Sequence, residues 1–382
     1  MEMPWHFPTL SPGVLCRVTP WRGLNSLRTS KSFWTDISFD YLYKKFSFIT
    51  LHFKHFIMKV AVTGASGHIG NCLVQELKKQ GAGIKVLVHN FRSVLDEMDV
   101  ELIQGNLLEP ESLVNLCEGV DVVFHLAAQI AIENTSSEHV YETNVTGTKN
   151  MIKAANHSKV KKFIHFSSIH AFQLGSPDQM LDESRSLVET NKAIYEFTKA
   201  EGEREVMKAA KEGLNAVILN PTAVIGPFDY RGSLLGQALL KIYQNKLPFL
   251  VSGGYNWVDV RDVVSASINA IDSGHKGENY ILSGEFCTLQ ELSVMISKIS
   301  GCKIPVIVPV ALARLACPFF KVLSSITNKQ PLYTYQSLDI LVNSPSNISN
   351  AKARNELRYE PRPLEQTLRD TFDWYKENNF IN

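Results

Sequence analysis

The chain has 382 residues, 45% of them hydrophobic, and its 39 Lys and Arg against 38 Asp and Glu leave a formal net charge of +1. That length and apolar content support a substantial core, in one large domain or two ordinary ones. Near-neutral charge excludes the basic footprint of a nucleic-acid binder, so partners have to be argued from sites. The six cysteines, Cys16, Cys72, Cys117, Cys287, Cys302 and Cys317, are scattered, with no C-x-x-C pair and no His/Cys cluster at ligand spacing. The pattern predicts reduced, mostly buried thiols in a cytoplasmic protein, and no metal site.

Residues 1–57 stand apart. They hold 12 aromatics, seven Lys or Arg and three acids, without a helical or alternating period. Residues 1–15 lack the charged start and apolar run of a secretory signal. The expectation is an N-terminal extension outside the fold, with Met58 as the initiator. An organelle transit peptide is the alternative, although Arg is sparse and the aromatics are many for one.

From Met58 the pattern becomes regular. Short apolar runs, "KVAVT" (59–63), "IKVLVH" (84–89), "VDVVFHLAA" (120–128), "KKFIHFSS" (161–168), "LNAVILNPT" (214–222) and "ENYILSG" (278–284), alternate with amphipathic helical stretches. Near-continuous apolar strands separated by helices mean a parallel sheet covered on both faces, so the fold class is α/β, a doubly wound parallel sheet. After Asn220 the rhythm loosens, with turns at "GPFDYRG" and "VSGGYN" and a helical piece at 233–245. Residues 285–382 add "TLQELSVMISKISG", an apolar stretch with prolines, and the closing helix "PLEQTLRDTFDWYKENN". Residues 58–225 and 252–284 are expected to form the sheet domain, and 226–251 with 285–382 a smaller C-terminal lobe over the carboxyl edge of the sheet, where ligands bind. In "KIPVIVPVALARLACPFFKVL" (303–323), three prolines, Arg314 and Lys321 argue against a membrane-spanning helix. The stretch reads as a lobe element lining an apolar pocket, with interfacial membrane contact as the alternative. "WVDVRD" places Asp259 and Asp262 at a strand-to-helix junction, where Asp262 is the expected amino-terminal cap.

The junction after the first strand reads G-x-x-G-x-x-G, with Gly64, Gly67 and Gly70. Lacking a Cβ, Gly64 can make the tight turn, Gly67 can admit a pyrophosphate to the backbone, and Gly70 can let helix and strand pack closely. The residues around the helix start, Ser66, His68 and Ile69, then offer free N–H groups and a positive dipole to the phosphates of a dinucleotide. At the end of the second strand, "LVHNFRS" supplies His89, Asn90 and Arg92 and no acid for a ribose 2′-hydroxyl. NADP(H) is therefore the preferred cofactor, with His89 or Arg92 on its 2′-phosphate, and NAD(H) the alternative. In "QGNLLEPESL", Asn106 and Leu107 follow the third strand, where the Asn106 amide either meets the adenine or serves as a turn residue.

Tyr195 and Lys199 stand at i and i+4 in "YEFTKAEGEREV", so a helix puts both on one face. An ammonium there favours the phenolate and is expected to lower the tyrosine pKa from about 10, making it a proton exchanger. Ser167 and Ser168 end the strand "KKFIHFSS", Ser168 lying 27 residues before Tyr195 and at the same sheet edge as the glycine turn. A serine at that place can hold a reacting carbonyl or alcohol.

Taken in order, "TGASGHIG", "DVVFHLAA", "NVTGT" (144–148), "FSS" (166–168), "YEFTK" (195–199) and "NPTAVIGP" (220–227) resemble the extended short-chain dehydrogenases/reductases of the NAD-dependent epimerase/dehydratase superfamily. "SGGYNWVDVRDV" and "ARNELRYEPRPLEQTLRDTFDWY" look like its dihydroflavonol 4-reductase-like and hopanoid-associated sugar epimerase group. The resemblance implies a Rossmann sheet, with Ser168 orienting substrate, Tyr195 as the acid/base, and Lys199 also holding the nicotinamide ribose. It implies that Pro221 borders the nicotinamide and Ala127 the cofactor channel. Asn144 would support the central helix or simply cap it. Two departures stand out: Asn106 replaces the family's acid after the third strand, and "SSIHAFQ" lacks the Tyr-Gly of many sugar epimerases, leaving His170 as a wall residue. No carboxylate follows Ser168 before Asp178, which disfavours a dehydratase.

The function read from these residues is an NADP-preferring oxidoreductase that interconverts a carbonyl and a secondary alcohol on a small, moderately apolar molecule. A nucleotide-sugar epimerase would use the same residues, and a dinucleotide-sensing binding protein would use the fold without turnover. The partners implied are a small-molecule substrate and a second copy in a homodimer, with no nucleic acid and no stable membrane insertion.

Overall fold

Val60, Ala61 and Val62 have no exposed surface in strand β1 (Lys59–Thr63). An apolar run of that kind, without alternation, is what a strand needs when helices cover both faces. The computed structural model describes residues 58–89, 93–130, 136–175, 179–190, 193–327 and 334–381, all within one unit, Ile57–Asn382. The extension expected over residues 1–57 lies outside the described residues, as does Arg92.

Six further strands join β1: β2 (Gly83–Val88), β3 (Glu101–Gln104), β4 (Val122–His125), β5 (Lys162–Phe166), β6 (Ala216–Pro221) and, after β7 (Ala223–Ile225), β8 (Phe249–Val251) and β9 (Gly254–Asp259), β10 (Asn279–Leu282). The seven run in the order β10-β6-β5-β4-β1-β2-β3, every pair parallel. The order reverses between β1 and β4, so the loops leaving these strands diverge and open the crevice where doubly wound sheets take ligands.

Helix α1 (His68–Lys79) covers one face through Leu73, Val74 and Leu77, in one core with Val263 and Val264 of a later helix. The other face carries α2 (Pro110–Cys117), then α3 (Ser137–Tyr141), a π-helical turn (Glu142–Thr146) and α4 (Gly147–His157) in succession, and α5 (Ile194–Lys211). Leu73 and Leu77 are fully buried, and each such side chain contributes about 1.5–3 kcal/mol.

The remaining elements are α6 (Leu234–Tyr243), α7 (Val260–Ser273), β11 (Glu285–Thr288), α8 (Leu289–Ser300), β12 (Val306–Val308), α9 (Val310–Thr327), α10 (Tyr335–Val342), α11 (Ala351–Leu357) and α12 (Leu364–Glu377). A three-stranded sheet, β11-β9-β7, and the pair β12-β8 share a second core with Leu239, Trp257, Leu292, Phe372 and Tyr375. Ala353 and Leu357 of α11 turn back and pack on the main-sheet core instead.

One expected detail is corrected. The cap of α7 is Asp259, whose carboxylate accepts from the Arg261 amide at 2.8 Å; Asp262 lies inside the first turn. The chain passes from β9 straight into the helix, so the earlier acid reaches the free N–H groups. Asp262 instead accepts from the Arg362 amide at 2.8 Å and pairs with its guanidinium at 2.8 Å.

Among the described residues the first sheet contact is made by the Met58 carbonyl, which accepts from the Gly83 amide at 3.0 Å. A chain shortened to begin at Met58 is expected to fold and bind dinucleotide as the whole chain does, as judged by melting temperature and NADPH titration. An insoluble product, or one blind to the cofactor, would show that residues 1–57 belong to the domain.

Candidate active site

The glycine turn is shaped as a cradle. Gly64 takes φ +73°, and a Cβ there would lie 2.7 Å from the Ala127 nitrogen, so only glycine lets the β1 and β4 loops touch. A Cβ on Gly70 would fall 2.2 Å from the Gly64 carbonyl, which explains the third glycine. At Gly67 the nearest atom would be 3.3 Å away, and no side chain caps α1 behind it. The helix dipole and its first amides are therefore available to an anion, which fits a dinucleotide pyrophosphate.

The other sequence-predicted cofactor residues are placed as follows. Ser66 and Ile69 are half-buried at the turn. His68 opens α1, and its ring Nε2 donates to the Pro227 carbonyl at 2.9 Å, leaving its backbone on the cradle. Ala127 donates its amide to the Thr63 hydroxyl at 3.1 Å, and Pro221 is buried at the end of β6. His89 is exposed just past β2. Asn106 has both polar atoms in its own turn, its oxygen accepting from the Leu108 amide at 2.7 Å and its nitrogen donating to Glu109, so it serves as a turn residue. Leu107 is buried against Gly147.

Ser168, Tyr195 and Lys199 come together at the carboxyl end of β5. The Ser168 hydroxyl lies close enough to Tyr195 to act on its phenol, and Ser168 Oγ accepts from the His170 amide at 3.2 Å. Lys199 is 6% exposed, and its Nζ donates to the Phe166 carbonyl at 2.7 Å. Burial lowers Lys199 to about 8, opposed by the charge of Glu203. Tyr195 is raised above the usual phenol value, first by burial and further by nearby Glu196, while the Ser168 hydroxyl pulls the other way. The expected depression by Lys199 is not seen, because the ammonium is committed to the β5 carbonyl and burial dominates. Tyr195 is thus held as a protonated acid.

The helix face behind the pair is fixed by Asn144 in the π turn. Its amide accepts from the Gln129 nitrogen at 2.7 Å and donates to the Gln129 carbonyl and to Thr198 Oγ1, each at 3.0 Å. Asn144 is therefore a clamp between the β4 loop and α5, and the cap of α3 is Ser136. His170 stands edge-on to Tyr195 with ring centroids 6.5 Å apart, and burial lowers it to about 4. It is a neutral wall.

Sequence reasoning missed Glu203. It lies one turn beyond Lys199 on α5 with no exposed surface, and in "AEGEREV" it looks like one of several surface acids. Its oxygens accept from Asn220 Nδ2 at 2.8 Å and Asn279 Nδ2 at 3.1 Å, and Asn220 also donates to the Ser168 carbonyl at 3.2 Å. One buried carboxylate thus links β5, β6, β10 and the lysine helix. The signal available was the i+4 spacing from Lys199.

The sequence pattern of the NAD dependent epimerase/dehydratase family matches residues 60–283. Sterol demethylase protein B of Methylococcus capsulatus is 30% identical over 332 residues, covering 85% of this chain and all of that protein. A 4-hydroxy-2-methyl-3-oxo-4-farnesyl-3,4-dihydroquinoline-1-oxide ketoreductase of Stigmatella aurantiaca is 28% identical over 316 residues, covering 81% of this chain and 94% of that one. The crystal structure of gox2253 is 31% identical and superposes with a TM-score of 0.73, over 85% of this chain and 99% of that one.

Glu203→Gln keeps the shape but removes the charge that favours the Lys199 proton. The alkaline limb of kcat is expected to move to lower pH, with a loss of about 10-fold near pH 8 and little change near pH 6. A pH profile that keeps its shape while activity drops evenly would mean that Glu203 only props the fold.

Proposed function

Because the chain belongs to the NAD-dependent epimerase/dehydratase family, we propose that it is an NADP-preferring reductase of a carbonyl on an apolar small molecule, acting through Ser168, Tyr195 and Lys199. The observation that carries this reading is the Tyr195 hydroxyl, held protonated beside Ser168 and one helical turn from a buried ammonium. When bound, the nicotinamide supplies the hydride. Ser168 Oγ–H and Tyr195 Oη–H then both donate to the substrate carbonyl oxygen, fixing it for attack. As negative charge grows on that oxygen, Tyr195 passes its proton to it and the secondary alcohol forms. Lys199, anchored on the Phe166 carbonyl, holds the helix that carries Tyr195 in place while solvent returns the proton to the phenolate. The reverse sequence oxidises the alcohol.

The relatives named for a sterol and for a farnesylated quinoline ketone support an apolar substrate. The absence of an acid in "LVHNFRS" supports NADP(H), with His89 and Arg92 as phosphate partners. A sugar epimerase would need the same three residues, but "SSIHAFQ" after β5 departs from the Tyr-Gly of many such enzymes. A dinucleotide sensor would have no use for a proton donor.

Tyr195→Phe is expected to bind NADPH nearly as wild type by fluorescence titration while losing roughly 10²–10⁴-fold in kcat against a panel of apolar ketones. Undiminished turnover in this variant would remove Tyr195 as the acid, and NADH binding as tight as NADPH would remove the cofactor preference.

A further inference from the structure

The lobe is unevenly charged. Residues 230–258 hold three bases and no acid, and residues 292–338 five bases and no acid, in a chain whose 39 bases and 38 acids nearly balance as a whole. The two segments meet where β12 pairs with β8, Val306 lying opposite Phe249. The Lys303 amide donates to the Asn245 side chain at 2.7 Å, which brings exposed Lys246 and Lys303 to one rim. Beside that rim, Phe249 is 53% exposed, Ile304 51% and Val306 60%.

Helix α9 begins two residues after β12 and continues the pattern. Leu312 is 57% exposed and Leu315 78%, one turn apart and directed away from buried Ala313 and Cys317. Leu315 is the most exposed large apolar side chain among the described residues. On the same helix Arg314 pairs with Asp339 of α10. Single exposed apolar residues need no explanation, but a run of them bordered by lysines in an acid-free segment marks a contact surface.

We propose that this face of the lobe, from Phe249 and β12 to the start of α9, docks on the surface of an anionic lipid bilayer. Leucine, isoleucine and phenylalanine side chains enter the boundary between headgroups and acyl chains, while Lys246 and Lys303 meet the lipid phosphates. No helix among the described residues is long and apolar enough to cross a membrane, so the contact is interfacial. A second copy of the chain is the poorer occupant, because a two-fold contact would set this basic rim against itself.

Flotation of the full chain with phosphatidylcholine vesicles, with and without phosphatidylserine, tests the surface without any turnover, so its failure leaves the proposed reaction untouched. The chain is expected to float with the anionic vesicles and to be released by salt, which shortens the Debye length from about 8 Å at physiological strength. The double substitution Leu312→Glu with Leu315→Glu, and separately Lys246→Glu with Lys303→Glu, should each weaken flotation at least ~10-fold with melting temperature and NADPH binding unchanged. No flotation with anionic vesicles, flotation indifferent to both pairs, or a sedimenting dimer that the leucine substitutions dissolve would overturn the proposal.

Discussion

A buried ammonium is the constraint around which this site is arranged. Taking a charge out of water costs several kcal/mol unless it is paired and hydrogen-bonded. Lys199, at 6% exposure, meets that demand with the Phe166 carbonyl at 2.7 Å and the carboxylate of Glu203 one turn away. Neither partner is free to move. Phe166 ends a strand locked between β4 and β6, and Glu203 is held by amides from β6 and β10. The lysine therefore fixes α5 to the sheet edge, and with it the height at which Tyr195 meets Ser168.

Small residues and buried imidazoles complete that arrangement. A Cβ on Gly202 would lie 3.1 Å from the Asn144 carbonyl, so glycine allows α5 to lie close against the π turn. His125 is lowered to about 3 and His165 well below its ordinary value, both first by burial. They stay neutral and add no positive charge beside Lys199. His125 bridges Thr63 Oγ1 at 2.8 Å and Thr148 Oγ1 at 3.0 Å, joining the strand of the glycine cradle to the helix behind Tyr195. Cofactor cradle and proton donor are thus parts of one hydrogen-bonded layer.

Much of the sheet was legible because parallel strands covered on both faces must be apolar throughout, and six runs of that kind stand in the sequence. β3 was the harder strand: both its ends are exposed and polar, and "ELIQ" carries no run. The lobe strands β7, β8 and β12 are three residues each, and their partners are distant in sequence, so no local pattern announces them. Ser168, Tyr195 and Lys199 could be picked out from their order along the chain. Glu203 could not, since burial of an acid is decided by Asn220 and Asn279, which come from other strands. The cap of α7 was misplaced for a related reason: where the strand ends decides between Asp259 and Asp262, three residues apart, and the strand runs straight into the helix at Asp259.

The resting site depends on a lysine whose burial loosens its proton and a tyrosine that stays protonated until a substrate oxygen takes the proton. The most direct test is an NMR titration of the Lys199 side chain, identified by its loss in Lys199→Met. The account predicts a midpoint at about 8. A midpoint at the ordinary value of 10.5 would mean that the ammonium is solvated, and the buried-charge account of the site would be wrong.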